Sequence, residues 1–168
     1  MDPFARLGVE PAFAIDMAEL ERVHRDLSRA LHPDRHLQSM PSERRRTLDE
    51  AVAVNEAWRI LRDPLRRAEA LLVLRGVQAN GPDAKPSPAF LMAMMERRED
   101  LEAAKGKGLV ALQSLEQRVA ADLQACVDRL GEALDAGVEH HGKPEKILAE
   151  LRFHRRLLDE LQELTADT

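Results

Sequence analysis

Apolar residues recur at spacings of three and four along most of the chain, and no stretch alternates with a period of two. The pattern predicts helices and no strands. Met17, Leu20, Val23, Leu27 and Leu31 share one face of a helix that opens at Asp16, where Glu19 completes a capping-box-like start. Pro33 disfavours helical geometry at the residue before it, so this helix should stop near Leu31–His32. Upstream, Asp2-Pro3 and Gly8 bracket a short helix, with proline at its first position and glycine past its last. A polar loop then leads to Pro41-Ser42 and a second long helix, on which Leu48, Val52, Asn55, Trp58 and Leu61/Arg62 trace the expected inner face. It ends before Asp63-Pro64, and a further helix from Leu65 to about Leu74 closes at Gly76. Two long helices around a loop predict an antiparallel hairpin capped by the short ones.

Residues 77–87, rich in Pro, Gly, Asn and Ser, read as a linker. Ser87-Pro88 caps a new helix over about 88–104, which Gly106 and Gly108 are expected to break. A long helix follows over about 109–136, with Leu112, Leu115, Val119, Leu123, Val127, Leu130 and Leu134 on its stripe. Gly137 to Pro144 is a turn, and Glu145 to about Leu164 forms the last helix. The predicted architecture is all-α: a hairpin domain over 1–76 and a three-helix bundle over 88–168.

Composition agrees. The 168 residues are 44% hydrophobic and 33% charged, with four Phe, one Trp and no Tyr, which is helix-forming material of a soluble protein. The single cysteine, Cys126, permits neither an internal disulfide nor a multi-cysteine metal site, and fits a reducing compartment. Met1-Asp2-Pro3-Phe4 lacks the basic and apolar regions of a signal peptide, and no apolar run nears the roughly 20 residues of a membrane span. A cytoplasmic protein is expected. The net charge of −5 is uneven: residues 1–76 hold 13 Lys/Arg against 13 Asp/Glu, residues 77–168 hold 12 against 17. An acidic second half argues against a general nucleic-acid binder, and no membrane partner is expected.

The candidate chemistry lies where the first long helix ends. Arg22, Arg25 and Arg29 fall at i, i+3 and i+7 on one face, which leads into His32-Pro33-Asp34, and Arg35 extends the positive character. A solvated face and an ordinary helix-ending turn would account for either feature alone. Together they form a partner surface: Pro33 fixes the loop, Asp34 offers a carboxylate, His32 two ring nitrogens, and the arginines steer an acidic partner.

On the helix over 88–104, Phe90, Met94 and Leu101 share one side, while Leu91, Met92, Met95, Glu96 and Glu99 share another. A bundle helix needs one apolar stripe, so some of these should stay exposed. A methionine-rich patch edged by carboxylates suits an adaptable docking surface. Full burial of all of them is the plainer alternative.

These residues carry a resemblance. Asp26 to Asp34 (Asp-Leu-Ser-Arg-Ala-Leu-His-Pro-Asp), Asn55 to Leu61 (Asn-Glu-Ala-Trp-Arg-Ile-Leu) and Asp63-Pro64 with Arg67-Ala68 resemble a J-domain, the module that triggers ATP hydrolysis in DnaK-type chaperones. With Met1-Asp2-Pro3-Phe4, Ala89-Phe90-Leu91-Met92 and Leu151-Arg152-Phe153, the whole chain is similar to the HscB-type co-chaperones of iron–sulfur cluster assembly. The resemblance implies a non-enzymatic monomer without cofactor, whose J-domain acts on an HscA/DnaK-type chaperone through His32, Pro33, Asp34, Arg22, Arg25, Arg29 and Arg35. It also implies that Leu91, Met92, Met95, Glu96, Glu99 and Phe153 hold an IscU-type scaffold protein. Ala103 replaces an acidic residue of well-known members, and Ala70 a common aromatic. A general J-domain adaptor with another client, or a structural helical adaptor, remains open at this point.

Other constellations are weak. Glu150 and His154 form E-x-x-x-H where dinuclear bundles use a repeated E-x-x-H. His32 and His36 are separated by the helix break at Pro33, so no metal site is expected. His140-His141 fall in a turn, Glu43 to Arg46 form a solvated charged face, and Cys126 reads as a buried small residue. A Gly-rich phosphate loop is missing.

Overall fold

The structure, a computed structural model, describes residues 2–36, 40–79, 84–135 and 143–166. The chain divides into two compact units, residues 1–76 and 77–168. The described residues are helical with no strand. The first unit holds α1 (Pro3–Leu7), α2 (Met17–Ala30), a 3₁₀ turn (Pro33–His36), α3 (Pro41–Arg62) and α4 (Pro64–Leu74). The second holds α5 (Pro88–Lys107), α6 (Leu109–Asp135) and α7 (Pro144–Ala166).

Local chemistry starts three of the four helices of the first unit. Asp2, Asp16 and Asp63 each turn a carboxylate back onto two backbone N–H groups of the first turn, a cap worth about 1 kcal/mol. Gly8 ends α1 at φ +65, the left-handed conformation open to glycine. Glu19 does not close a capping box as its spacing suggested; its carboxylate is taken by Arg22 instead, at 2.6 and 2.8 Å.

The inner face of α3 differs from the expected one. Leu48 and Val52 are 61% and 62% exposed, and Asn55 is exposed too. The buried positions are Val54, Ala57 and Leu61, with Trp58 half-buried. At 100° per residue, Leu48 and Val52 lie roughly 120–160° around the helix from Val54. Small residues win the inner face because α1, α2 and α4 all pack on α3 and need close approach. Phe4, Leu7, Phe13, Leu20, Leu71 and Leu72 then supply the bulk of that core.

Arg67 of α4 is buried in this core. Its Nη1 donates to the Leu61 carbonyl at 2.9 Å, and its guanidinium lies 4.8 Å over the Phe13 ring. A charge-assisted hydrogen bond and a cation–π contact, of about 1.5–3 and 0.5–2 kcal/mol, offset the cost of burying the charge. They tie α4 to the end of α3 and to the segment before α2. Arg6 and Glu50 join α1 to α3 through 2.6 and 2.8 Å hydrogen bonds.

In the second unit α6 and α7 form the main pair. Leu112, Leu115 and Val119 meet Leu157, Leu158 and Leu161, and α5 adds only Leu101 and Ala104 as buried side chains. Gly106 lies inside α5 rather than breaking it; Gly108, at φ +91, is the break. On α6, Cys126 is buried where Val127 is half-buried, so the stripe shifts by one residue. Ala79, in the stretch read as a linker, is tied to α7, its carbonyl accepting from Arg152 at 3.2 Å.

Candidate functional site

The first candidate surface begins at the end of α2. Leu31 closes the helix, its N–H donating to the Leu27 carbonyl, and the backbone turns at once into the 3₁₀ segment, where the Arg35 N–H donates to the His32 carbonyl at 3.0 Å. The Asp34 N–H donates to His32 Nδ1 at 3.3 Å, and the Asp34 carboxylate lies 3.5 Å from the same nitrogen. Both side chains are exposed. The turn is therefore ordered by His32 itself, where the pattern suggested only a polar loop.

Arg25, Ser28, Arg29, His32 and Arg35 line one groove of about 410 Å³. Arg22 lies one turn back. The four predicted arginines are not equivalent. Arg22 is engaged by Glu19 and, at 3.3 Å, by Asp26, while Arg25 reaches Glu21 at 3.0 Å. Arg29 and Arg35 have no carboxylate partner among the described residues. Those two, beside His32, are the cations ready for an incoming anion.

The second candidate surface is on α5. Ser87 caps the helix by accepting from the Phe90 N–H at 3.1 Å. Because α5 buries so little, Leu91, Met92 and Met95 stay 42%, 66% and 66% exposed. Leu91, Met95, Glu99 and Phe153 come together in a groove of about 560 Å³ between α5 and α7. Phe153 meets Phe90 edge-on at 6.0 Å, and Arg156 covers its ring at 4.8 Å. Met92 stands exposed outside the groove lining, and Glu96 lines a neighbouring polar cleft instead. Arg98, Arg156 and Leu157 also line the groove and escaped the sequence reading, and Met94, read with Phe90 and Leu101 on the other side of the helix, lines it too. The signal was present in part: Arg156 and Leu157 lie three and four residues beyond Phe153, hence on its face of α7.

Charged pairs fix the rims. Arg98 pairs with Glu160, and Arg97 with Asp122 at 2.8 Å. Ala103 is exposed one turn beyond Glu99. Cys126 is buried, its thiol donating to the Ile147 carbonyl at 3.5 Å, and burial pushes its pKa up, which disfavours a reactive thiolate. Glu150 is held by Arg129 at 2.8 Å. No group of three or more metal-capable side chains occurs among the described residues. His140-His141 lie outside the described residues. No described helix is long and apolar enough to cross a membrane.

The family described as the HSCB C-terminal oligomerisation domain matches residues 86–162. The co-chaperone protein HscB homolog of Burkholderia multivorans is 36% identical over 151 residues, covering 89% of this chain and 85% of that protein. The chain belongs to the HscB co-chaperone family. The HscB homolog of Pseudoalteromonas atlantica, 32% identical, covers 96% of this chain and 95% of its own. Among solved structures, the chaperone HscB from Vibrio cholerae matches with a TM-score of 0.84 at 29% identity, covering 99% of both chains. Human co-chaperone HscB shares the fold, with a TM-score of 0.85 at 23% identity over 100% of this chain and 84% of that one. The all-helical architecture read from the apolar pattern is thus the one observed, and it is that of the HscB structures the motifs resembled.

Proposed function

We propose that this HscB-family protein is a J-domain co-chaperone of iron–sulfur cluster assembly, acting as a monomer between two partners. Its first unit docks an HscA/DnaK-type chaperone through His32, Pro33, Asp34 and the arginines Arg22, Arg25, Arg29 and Arg35, and stimulates ATP hydrolysis by that partner. Its second unit carries an IscU-type scaffold protein on Leu91, Met92, Met95, Glu99 and Phe153, with Glu96 at the edge.

The observation that carries this reading is the exposure of Leu91, Met92 and Met95 on a helix whose own bundle does not need them. A Leu/Met surface next to a groove suits a protein client, since unbranched thioether side chains repack against varied shapes. The separate unit bearing His32 and Asp34 supplies the other half of an adaptor, raising the effective concentration of client at the chaperone. ATP and the cluster belong to the partners. The test is steady-state ATPase of an HscA-type chaperone with an IscU-type scaffold, with and without this protein. Stimulation that needs both the scaffold and the intact chain supports the reading; no stimulation of any DnaK-type chaperone removes it.

A further inference from the structure

The apolar groove between α5 and α7 carries charge that an apolar client alone does not explain. Its lining is mostly Leu, Met and Phe, yet Arg98, Glu99 and Arg156 reach it as well. Two guanidiniums against one carboxylate give it a local positive excess, in a half of the chain where acids outnumber bases 17 to 12. The three charges are not in the same state. Arg98 is held by Glu160. Glu99 pairs with no cation among the described residues, so it does not neutralise Arg156 on the facing helix.

Arg156 is oriented without being used up. Its Nε donates to the Arg152 carbonyl one turn back, at 3.3 Å, and its guanidinium lies 4.8 Å over the Phe153 ring. That ring is itself set by Phe90, edge-on at 6.0 Å. Neither Nη atom has a hydrogen-bond or ion-pair partner among the described residues. The backbone tether and the ring contact remove part of the side chain's freedom before a partner arrives, which lowers the entropy cost of binding. A planar guanidinium anchored at Nε, with both Nη atoms open, is the geometry that takes a carboxylate end-on through two parallel hydrogen bonds. Once a client covers the groove, its apolar walls keep out the water that weakens exposed ion pairs. The occupant that fits both parts is an apolar side chain in the groove with an aspartate or glutamate beside it.

We infer that Arg156 is a specificity-determining residue of the client surface, taking an aspartate or glutamate of the scaffold protein next to the apolar side chain seated in the groove. The inference rests on the reading of α5 as the client surface; it adds a residue of α7 and the sign of the charge selected there.

The test uses the full-length protein with an IscU-type scaffold protein, with affinities from calorimetry at low and high salt. Arg156 is exposed, so its substitution leaves the bundle core untouched. Arg156→Met keeps an unbranched apolar cover over Phe153 and removes the charge. It should bind about tenfold more weakly, with a shallower salt dependence. Arg156→Glu should bind about tenfold more weakly again, because it sets like charges against each other. Each Asp and Glu of the scaffold protein is then neutralised in turn. One such substitution should weaken binding to wild type about tenfold and cost nothing further against Arg156→Met, the signature of a direct pair. Wild-type affinity in Arg156→Met overturns the inference. Equal losses in Arg156→Met and Arg156→Glu overturn it too, leaving Arg156 as a cover for the Phe153 ring, and so does full additivity with every scaffold carboxylate. Leu91→Ala/Met95→Ala, measured alongside, tests the premise separately: wild-type affinity in that double variant, or no binding by wild type, overturns the reading of α5 itself.

Discussion

The His24 and Trp58 rings stack face to face, with centroids 4.8 Å apart and planes within 8°. His24 Nε2 also lies 2.9 Å from Asn55 Oδ1, so one side chain of α2 engages two successive turns of α3. This contact holds α2, the helix that leads into His32, against α3. Trp58→Ala should destabilise the first unit by about 2–3 kcal/mol, less than a fully buried tryptophan, because the ring is half-buried. Urea denaturation followed by circular dichroism would measure it. Trp58 is the only tryptophan, so wild-type fluorescence reports on unfolding of this unit alone.

His32→Gln should abolish stimulation of the chaperone ATPase while leaving the melting temperature within about 2 °C, since an exposed side chain away from the core contributes little to stability. The glutamine cannot reproduce the aromatic ring held against the Asp34 N–H. Unfolding of the variant would instead assign His32 to the fold.

The arginines should rank by their existing partners. Arg29→Ala should weaken the chaperone interaction by about tenfold, whereas Arg22→Ala should cost about threefold or less, because Arg22 must give up Glu19 before it can serve another carboxylate. Stimulation assays across chaperone concentrations separate the two. Equal losses would mean that the intrahelical pairs open freely.

Leu91→Ala/Met95→Ala should remove detectable scaffold binding without lowering thermal stability, since both side chains are largely outside the bundle core. Two truncated anchors cost about 2–4 kcal/mol together, a factor of roughly 30 to 1,000 in affinity.

The second unit should lose stability in mild acid. Burial holds the His154 pKa below its ordinary value, with Asp122 and Glu150 opposing and Arg129 and Arg97 adding to the effect; the neighbouring thiol of Cys126 stays neutral. Above about pH 6.5 neither folded nor unfolded chain protonates this ring, and stability is complete. As pH falls below that value the unfolded chain takes up the proton first, so stability declines until the lowered folded pKa is passed. Denaturation at pH 7.5 and 5.5 should show this slope in wild type and a shallower one in His154→Leu.

Caps and breaks were legible because they rest on neighbours in sequence: Asp2, Asp16 and Asp63 each cap the helix that follows. The face of α3 was not, because Leu48 and Val52 look like core by periodicity while close packing against three helices selects Val54 and Ala57. Gly106 was misread for a related reason: a glycine inside a helix is merely weak, whereas Gly108 requires a positive φ. On α5, two-sided apolarity announced an exposed patch, and it is there. The polar cleft was hidden, since Glu96, Asp122 and His154 come from three helices and no spacing links them.

The carboxylates that engage Arg22 and Arg25 have a consequence for how long a complex lasts. Each partner anion that captures one of these arginines displaces a rival anchored on the same helix, and the rival stays within reach throughout. Departure is therefore prepared before arrival. Under the proposed function, such built-in competition favours a brief encounter, letting one adaptor serve many chaperone cycles rather than remain captive in the first.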